Sequence, residues 1–482
     1  MSDKELIKLI LRIPEESQMV EFKRLSSVKN EVERIVESIV ALTNSNGGTL
    51  ILGIDDPSKS TTNPFDRVYG IEESPSNFDL LGREITKITP PLSNIWPPRI
   101  IPIAEINKRV ALITVPKSAD SFRSINNHVY IRQERSNKLL PPHELVKFAY
   151  AKGFQKADHE LVDVNFNLLE TSYYTDWKES RGIAGRSIEE VLEKTGLARK
   201  NNESNLKPTR AAVLLFAEYP SDLLDTKCTV RVFQYTGKLE TIRETPNLIS
   251  TPKTISAPAI KLIKDTHEYV LTLLRSGIRI PSGFVTKYQL PERAVKEAIT
   301  NAVIHRDYFI KRDITVKIFE DRIEIENPGL FPYNITQSNI GHTRSDGYRN
   351  DLLVKHLREF PAPPNLDQNE GVRAIRNEMK TNNLYPPIYW TYPHLQDAVR
   401  IILLNEQVAS EWDRVNFYLK EHKYITNEDA RSITNIQQRD RMSQILKKWV
   451  DKGLLIKIVP SSGYVKATKY RLTDAQEITH RA

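Results

Sequence analysis

The amino-acid sequence predicts an α+β protein that is built from several domains. The chain has 482 residues, and because one domain usually contains about 100–200 residues, we expect about three domains. Helix-like and strand-like segments alternate in residues 1–150, whereas residues 409–482 have helical patterns followed by two strand-like runs. A middle region with its own helices and strands separates them. We divide it into residues 151–255, a connecting region that includes the start of the middle domain, and residues 256–408, the remainder of that domain.

Composition limits the class of protein. Hydrophobic residues make up 39% and charged residues 27% of the chain, which is typical of a globular protein. The net charge of +8 favours a polyanionic partner, although a mildly basic enzyme without nucleic acid stays an alternative. The single cysteine, Cys228, excludes an intrachain disulfide and a cysteine-based zinc site. It lies in an apolar run, where we expect it to be buried.

The N-terminal residues and the apolar runs bear on the location of the protein. Met1 leads directly into a charged amphipathic stretch, which predicts no signal peptide. No apolar run approaches the roughly 18–20 residues of a membrane span. We therefore expect a cytoplasmic protein without a membrane partner.

The first region contains a helix, a turn and a strand in succession. Apolar residues at 32, 35, 36, 39 and 40 have helical spacing, and Asn30 with Glu33 resembles an N-terminal cap. The helix should stop at the cluster Asn44-Ser45-Asn46-Gly47-Gly48. Residues 49–54 then predict a buried strand, and residues 110–115 and 129–132 predict two more.

Three carboxylates in this region are candidates for a metal site. Glu16 and Glu21 precede the turn, and Asp55 follows the strand, where side chains from several elements can converge. Hard oxygen ligands of this kind suit Mg²⁺ or Mn²⁺, which can activate water at a phosphodiester. Lys23 is then a candidate phosphate contact. The alternative is that the two glutamates are solvated carboxylates at a strand edge.

Residues 10–147 resemble the AlbA_2 domain of the Schlafen family. The resemblance rests on Glu16, Glu21-Phe22-Lys23, residues 41–48, Gly53-Ile54-Asp55 and the segment 130–136. It implies binding of tRNA, other RNA or DNA, a role in antiviral defence, and a metal-dependent endonuclease site at Glu16, Glu21 and Asp55. It also makes Arg132 and Arg135 candidate nucleic-acid contacts. Glu134 and Arg135 stand where the family has glycine and serine.

The middle region contains the most informative helix of the chain. Leu290-Pro291 should open it, and Glu297, Asn301 and His305 are four residues apart and therefore share one face. A glutamate that orients water and an asparagine that binds Mg²⁺ would make a hydrolysis site. Residues 228–234, 314–319, 322–325 and 400–404 predict strands, and residues 259–274 predict a second helix.

Residues 207–405 resemble the GHKL-type ATPases, in the variant with the sequence N-A-x-x-H-R-D-Y. The resemblance implies an α/β sandwich that binds ATP with Mg²⁺. The residues assigned to the nucleotide are Glu297, Asn301, His305, Asn327, Gly329, Arg349, Asn350 and Gly371, with Asn301 also holding the metal. The adenine-binding aspartate of the wider family is absent, and Asn327-Pro328-Gly329 stands there instead. The alternative is a structural scaffold that binds no nucleotide.

The last region predicts a winged helix-turn-helix, because three amphipathic helices precede a two-stranded hairpin. Residues 411–482 contain 14 basic and 9 acidic side chains, which favours contact with nucleic-acid phosphates. The candidate contacts are Arg439, Arg441, Lys447 and Lys448. Winged helices also serve in dimerisation or docking, and that alternative stays open.

These observations support two hypotheses of function. The first is a metal-dependent endonuclease that acts on tRNA, other RNA or DNA and is regulated by ATP, with Mg²⁺ or Mn²⁺ as cofactor. The second is an ATP-responsive, DNA-binding transcriptional regulator without catalysis. In either case we expect a homo-oligomer.

Overall fold

The computed structural model describes residues 3–13, 15–57, 63–184, 186–241, 247–279, 285–364, 370–392, 394–458 and 468–473. The chain divides into two compact units. Unit 1 contains Met1–Ala149 together with Ser410–Ala482, and unit 2 contains Tyr150–Ala409. No helix within the described residues combines the length and the apolarity needed to cross a membrane.

The helices have the following bounds: α1 (Asp3–Arg12), α2 (Glu31–Asn44), α3 (Pro75–Ile85), α4 (Pro142–Lys152), α5 (Ser172–Ser180), α6 (Ile188–Thr195), α7 (Arg210–Phe216), α8 (Pro220–Leu223), α9 (Ala259–Ser276), α10 (Glu292–Ile304), α11 (Asp351–Leu357), α12 (Glu370–Thr381), α13 (Ser410–His422), α14 (Asn427–Thr434) and α15 (Arg439–Asp451).

The strands have the following bounds: β1 (Val20–Lys23), β2 (Gly48–Leu52), β3 (Arg99–Ile103), β4 (Lys108–Val115), β5 (Tyr130–Gln133), β6 (Ser136–Leu139), β7 (Ala198–Lys200), β8 (Leu206–Pro208), β9 (Val230–Gln234), β10 (Lys253–Ile255), β11 (Ile278–Arg279), β12 (Val285–Thr286), β13 (Ile314–Ile318), β14 (Arg322–Pro328), β15 (Ile388–Trp390), β16 (Ala398–Leu404), β17 (Leu455–Ile458) and β18 (Lys469–Leu472).

Unit 1 is built around a four-stranded mixed sheet with the order β1-β2-β4-β3. Strand β2 is central and buried along its whole length, which explains its continuous apolar sequence. It pairs in parallel with β1 and antiparallel with β4. Gly47, with φ of +71°, makes the turn between α2 and β2, because a residue with a Cβ atom is strained in this left-handed conformation.

The C-terminal part of unit 1 consists of α13, α14 and α15, followed by the antiparallel pair β17 and β18. Helix α14 begins with a capping box, in which the side chains of Thr426 and Asp429 satisfy each other's backbone N–H groups. Tyr424 packs against the cluster that contains Leu6 and Ile10. This part therefore shares a hydrophobic core with the N-terminal residues of the chain.

Unit 2 contains a six-stranded mixed sheet with the order β10-β9-β13-β14-β16-β15. Strand β9 pairs in parallel with β13, whereas β14 pairs antiparallel with both β13 and β16. A single hydrophobic cluster extends from Ala157 to Leu403 and includes the apolar side of α10. Residues of β9, β10 and α9, on both sides of the predicted division at 255/256, therefore share one core.

Most predicted elements are present in the described residues, with small shifts at their ends. The strand predictions 314–319 and 322–325 correspond to β13 and β14, and the helix prediction 259–274 corresponds to α9. Asn30 is the N-cap of α2, as predicted, although its backbone is left-handed and its side chain makes no cap bond. The sequence predicts proline at the first position of the next helix, and this detail is wrong, because Pro291 is the N-cap of α10. The residues that would join the two strands of the predicted C-terminal hairpin, 459–467, lie outside the described residues.

Candidate functional site

The carboxylates predicted for unit 1 face a buried arginine. Glu21 lies on β1 with 2% of its surface exposed, and its carboxylate forms an ion pair with the guanidinium of Arg132 on β5. Lys23 Nζ lies 2.6 Å from Glu21 Oε1, and the Ser38 hydroxyl donates to the same oxygen at 3.3 Å. The charge of Glu21 is therefore balanced within the protein.

Glu16 lies beside this pair. Its Oε1 accepts a hydrogen bond from the Phe22 backbone N–H at 2.9 Å, and its Oε2 lies 3.7 Å from Arg132 Nη2. Burial, reinforced by the neighbouring Glu21 carboxylate, raises the pKa of Glu16 to about 7. Glu16 thus lies where its charged form is disfavoured, and Glu16 and Glu21 approach the same guanidinium nitrogen.

Asp55 does not complete a triad in this arrangement. Its backbone N–H donates to the Arg67 carbonyl, and Arg67 donates back to the Asp55 carbonyl at 3.0 Å. Within the part of the chain that the structure describes, the group that brings three ligand atoms within 4.8 Å of one another is a different one, in unit 2. The metal role of Glu16, Glu21 and Asp55 stays a prediction.

The basic residues predicted to contact nucleic acid differ in their exposure. Arg132 is 1% exposed and donates to Asn137 Oδ1, so in this conformation it offers no surface to a phosphate. Lys23 is partly buried against Glu21. Arg135 is exposed and pairs with Glu15 at 3.1 Å. The four residues of α15 are all exposed: Arg439, Arg441, Lys447 and Lys448.

Unit 2 contains a deep cleft against its sheet. The cleft has a volume of about 1170 Å³, which includes the space open to solvent at its mouth. Its floor is formed by alternating side chains of β14, β15 and β16, and its walls are formed by α10, the segment 330–348 and the first turns of α12. The lining residues that were predicted from sequence are Glu297, Asn301, His305, Asn327 and Gly371.

Helix α10 carries Glu297 and Asn301 along one side of the cleft, and His305 is the C-cap residue that directly follows the helix. At 1.5 Å rise per residue, Glu297 and His305 are about 12 Å apart along the helix axis. Gly371, at the start of α12, lies against Glu297 and Asn301. A Cβ atom on Gly371 would lie 2.7 Å from Glu297 Oε2 and 3.2 Å from Asn301 Nδ2. Glycine at this position therefore allows the backbone of α12 to approach the polar end of the cleft.

Several buried polar atoms of the cleft have no hydrogen-bond partner within the described residues: His305 Nδ1, Asn327 Oδ1 and Tyr389 Oη. A buried polar group without a partner costs about 1–3 kcal/mol. The His305 ring stacks on Tyr348, with ring centroids 5.5 Å apart. Burial, and secondarily Arg349, lowers the pKa of His305 to about 4, so the ring is neutral at physiological pH.

Three residues predicted to bind nucleotide form the frame of the cleft instead of its lining. Arg349 donates to the Ala151 carbonyl at 2.7 Å and to the Leu330 carbonyl. Asn350 Nδ2 donates to the carbonyls of Ile304 and Arg306, at 2.9 and 2.8 Å, and so holds the end of α10. Gly329 has φ of +113° and packs against Asp307. The side chains of Arg349 and Asn350 are thus directed at backbone carbonyl groups, which they supply with donors inside the protein.

Sequence reasoning missed Tyr348 and Tyr389 as lining residues. Tyr348 directly precedes the predicted pair Arg349-Asn350, so its position near the cleft had a signal in the sequence. Tyr389 lies on the edge strand β15 and reaches the cleft only because β15 pairs with β16, where Tyr389 is opposite Ile401. Strand pairing of this kind has no local signal.

Comparisons with known proteins identify two domains. Residues 16–141 match the family model described as "Schlafen, AlbA_2", and residues 311–402 match the model described as "Putative ATP-dependent DNA helicase recG C-terminal". The chain therefore contains a Schlafen AlbA_2 domain and a recG-like HATPase_c_4 domain, which confirms these two parts of the resemblance. Neither match extends into residues 403–482.

A comparison with curated proteins gave no match. Among solved structures, the DIP2311 protein from Corynebacterium diphtheriae is 16% identical to this chain. The alignment covers 98% of this chain and 84% of that chain, with a TM-score of 0.39.

Proposed function

We propose that this protein binds ATP in the cleft of unit 2 and binds nucleic acid through unit 1. One observation carries the first part: in a largely apolar cleft, the buried atoms His305 Nδ1, Asn327 Oδ1 and Tyr389 Oη have no hydrogen-bond partner within the described residues. Such a lining suits a ligand with a flat apolar body and a few polar edge groups. A purine base has this character, and the recG-like match to residues 311–402 supports an adenine nucleotide.

The residues of the cleft fit ATP in two ways. The apolar side chains Ile325, Val399 and Ile401 offer a surface to the faces of the adenine ring. Asn327 Oδ1 can accept a hydrogen bond from the exocyclic amine of adenine.

The phosphates require a positive charge that the described lining residues do not supply, since none of them is a lysine or an arginine. Asn301 offers an amide oxygen of the kind that binds Mg²⁺ beside phosphate groups. When bound, this ion would neutralise the phosphate oxygens. Glu297, one helical turn away, can orient a water molecule near the terminal phosphate. Gly371 leaves the backbone N–H groups of α12 close to both residues.

Calorimetry with ATP and Mg²⁺ tests the first part of the proposal. We expect binding in the micromolar range and a higher melting temperature of unit 2. A ligand at about 100 times its Kd stabilises the folded state by about 2.7 kcal/mol. The absence of both effects at millimolar ATP would contradict nucleotide binding. Arg439→Ala, in unit 1, is the control that should bind ATP normally.

The second part of the proposal rests on the Schlafen match to residues 16–141 and on the basic surface of α15. Helices α13, α14 and α15 with the β17–β18 pair have the order of elements of a winged helix-turn-helix. In that motif the last helix lies in a groove of the nucleic acid, and here it carries Arg439, Arg441, Lys447 and Lys448. We propose that these four residues contact phosphates.

A metal-dependent nuclease is the second candidate function. The observation that favours it is the convergence of Glu16 and Glu21, both of which approach Arg132 Nη2. A Mg²⁺ or Mn²⁺ ion bound here would replace the guanidinium as the partner of the two carboxylates. Arg132 would then have to move away from β1, and Asp55 would have to approach the two glutamates.

One experiment separates binding from cleavage. The purified protein is incubated with labelled tRNA, single-stranded RNA and duplex DNA, with Mn²⁺ or EDTA, and with or without ATP. Metal-dependent cleavage that is lost in Glu21→Gln supports the nuclease. Binding that weakens with salt, without cleavage, supports the regulator, and Arg441→Ala should then reduce the salt dependence. Light scattering in the same buffers tests the predicted homo-oligomer.

A further inference from the structure

A second cluster of ionisable side chains lies in unit 2, outside the residues that line the cleft. It consists of Asp158 and His159, from a 3-10 turn at Ala157–His159, and of Asp351, the first residue of α11. One ligand atom from each of the three lies within 4.8 Å of the other two. Nothing in the proposed binding of ATP or nucleic acid requires this cluster.

The Asp158 carboxylate is buried and only half satisfied. The residue has 0% of its surface exposed, and its Oδ2 accepts a hydrogen bond from the Leu353 backbone N–H at 3.1 Å. Its Oδ1 is also buried and has no hydrogen-bond partner within the described residues. The imidazole Nε2 of His159 lies 3.9 Å from it. A buried carboxylate oxygen without a partner is costly, and a bound cation would remove that cost.

The other two side chains are open to solvent. His159 Nε2 lies 2.9 Å from Asp351 Oδ1, and the ammonium of Lys156 lies 2.9 Å from the same oxygen. The side chains of His159 and Asp351 are 28% and 44% exposed. One face of the cluster is therefore accessible to an ion from solution, whereas the Asp158 oxygen marks its closed side.

We propose that Asp158, His159 and Asp351 bind a divalent transition-metal ion of the Zn²⁺ type. Two carboxylate oxygens and one imidazole nitrogen are a donor set that Zn²⁺ takes in proteins, at about 2.0–2.2 Å from each ligand. Ligand atoms around such an ion are about 3–4 Å apart, and the three ligand atoms of the cluster already lie within 4.8 Å of one another. Three protein ligands leave a fourth position for water.

Two cations of the protein compete with this ion. Lys156 already supplies a positive charge to Asp351 Oδ1, and its side chain is 32% exposed, so it can turn into solvent. Arg199 Nη2 lies 3.2 Å from His159 Nδ1. When Nε2 binds a metal, the neutral imidazole carries its proton on Nδ1, and the exposed Arg199 must turn away. Removing either cation should therefore tighten metal binding.

A metal at this position would join two segments that frame the cleft. Asp351 directly follows Arg349 and Asn350, and Asn350 holds the end of α10 through two carbonyl groups. The 3-10 turn at Ala157–His159 comes shortly after Ala151, whose backbone carbonyl accepts a hydrogen bond from Arg349. We expect the metal to raise the melting temperature of unit 2 without changing the residues that line the cleft.

The test uses calorimetry of the full chain, stripped of metal, with ZnCl₂ as the ligand and no nucleotide present. We expect one ion per chain. Asp351→Asn and His159→Gln should each weaken binding at least about tenfold, because each removes one ligand. Lys156→Met should tighten binding several-fold. His143→Gln and Asp163→Asn change residues that are 80% and 92% exposed, and they should bind Zn²⁺ like the unaltered chain.

A second measurement distinguishes loss of metal binding from loss of folding. Asp158→Asn changes a buried group, so its circular dichroism is compared with that of the half-exposed Asp351→Asn variant before either is titrated. Visible absorption of Co²⁺ bound to the unaltered chain should report coordination by nitrogen and oxygen. Equal Zn²⁺ binding in Asp351→Asn and His159→Gln overturns the proposal, as does a Lys156→Met variant with no gain. The cluster is then only an ion-pair network, and ATP binding is untouched by either result.

Discussion

In unit 1 the carboxylates of Glu16 and Glu21 meet a buried arginine, whereas in unit 2 the polar atoms of Asn327 and Tyr389 face an apolar cleft without a partner in the described residues. Both sets include residues that were predicted as sites from short motifs. The first set has balanced its charge inside the protein, so any ligand must compete with Arg132. The second set gains hydrogen bonds when a ligand arrives. Motifs of similar specificity can therefore mark one site whose charges are already paired within the protein and another whose polar atoms have no partner in the described residues.

The largest expected effect comes from removing the arginine of unit 1. Arg132→Met leaves the Glu21 carboxylate buried with only Lys23 beside it, and breaking a buried ion pair in this way costs about 3–5 kcal/mol. Urea denaturation with hydrogen exchange in β1 measures the loss. Glu21→Gln in the same chain should restore most of it. Arg135→Ala, at an exposed pair, is the control and should cost under about 1 kcal/mol.

An Arg132→Met variant that folds with unchanged stability and instead loses affinity for RNA would contradict the role of Arg132 as the buried partner of Glu21. Arg132 would then act as a surface contact, in a conformation other than the one described. The carboxylates of Glu16 and Glu21 would then be open to a ligand without competition from Arg132.

A pH titration of stability tests the burial of His305 in unit 2. The pKa of His305 is about 4 in the folded chain and 6.5 in an unperturbed histidine. Its neutral form is thus favoured by folding, and stability is lost as the pH falls from 6.5 to 4, by about 3 kcal/mol in total. His305→Asn should remove this part of the slope. Hydrogen exchange in α10 without nucleotide measures it, and an unchanged slope in the variant would contradict the burial of the ring.

Unit 1 should respond in the opposite direction through Glu16. The pKa of Glu16 is raised from 4.5 to about 7, so the folded state holds a proton that the unfolded state releases. Stability therefore falls as the pH rises from 4.5 to 7, and Glu16→Gln should flatten this dependence, by about 2–3 kcal/mol at most. Exchange of β1 amides between these pH values provides the measurement. A variant that is less stable than the parent at pH 8 would be inconsistent with a disfavoured charge at this position.

The smallest expected effect concerns the base site proposed for the cleft. Asn327→Leu removes the acceptor proposed for the adenine amine and should weaken ATP binding about tenfold, which corresponds to about 1.4 kcal/mol. Asn327→Asp keeps an acceptor oxygen at this position, so it should bind ATP more tightly than Asn327→Leu does. Calorimetry with ATP measures the affinities of both variants and of the unaltered chain. Equal affinities in all three proteins would remove Asn327 from the base site.

The family matches and the local elements agree with what the sequence predicts, but the partners of individual residues do not follow from it. The face of α10 that carries Glu297, Asn301 and His305 was predictable, because helical periodicity is a local property. The burial of Arg132 was not predictable, because its segment resembles a nucleic-acid loop and its partner Glu21 is more than a hundred residues away. Arg349 and Asn350 were predicted to bind nucleotide, whereas in the structure their side chains donate to backbone carbonyl groups of distant segments, which the sequence does not indicate.

By itself, the sequence determined the order of helices and strands, the presence of the Schlafen AlbA_2 and recG-like domains, and the helical face on one side of the cleft. These properties depend on the spacing of apolar residues and on short motifs, each of which can be recognised within its own segment of the chain. Only the tertiary structure decided that Tyr389 reaches the cleft, that Arg132 neutralises Glu21, and that Asp158 meets Asp351. Each of these contacts joins segments far apart in the chain, and packing of the whole core selects them.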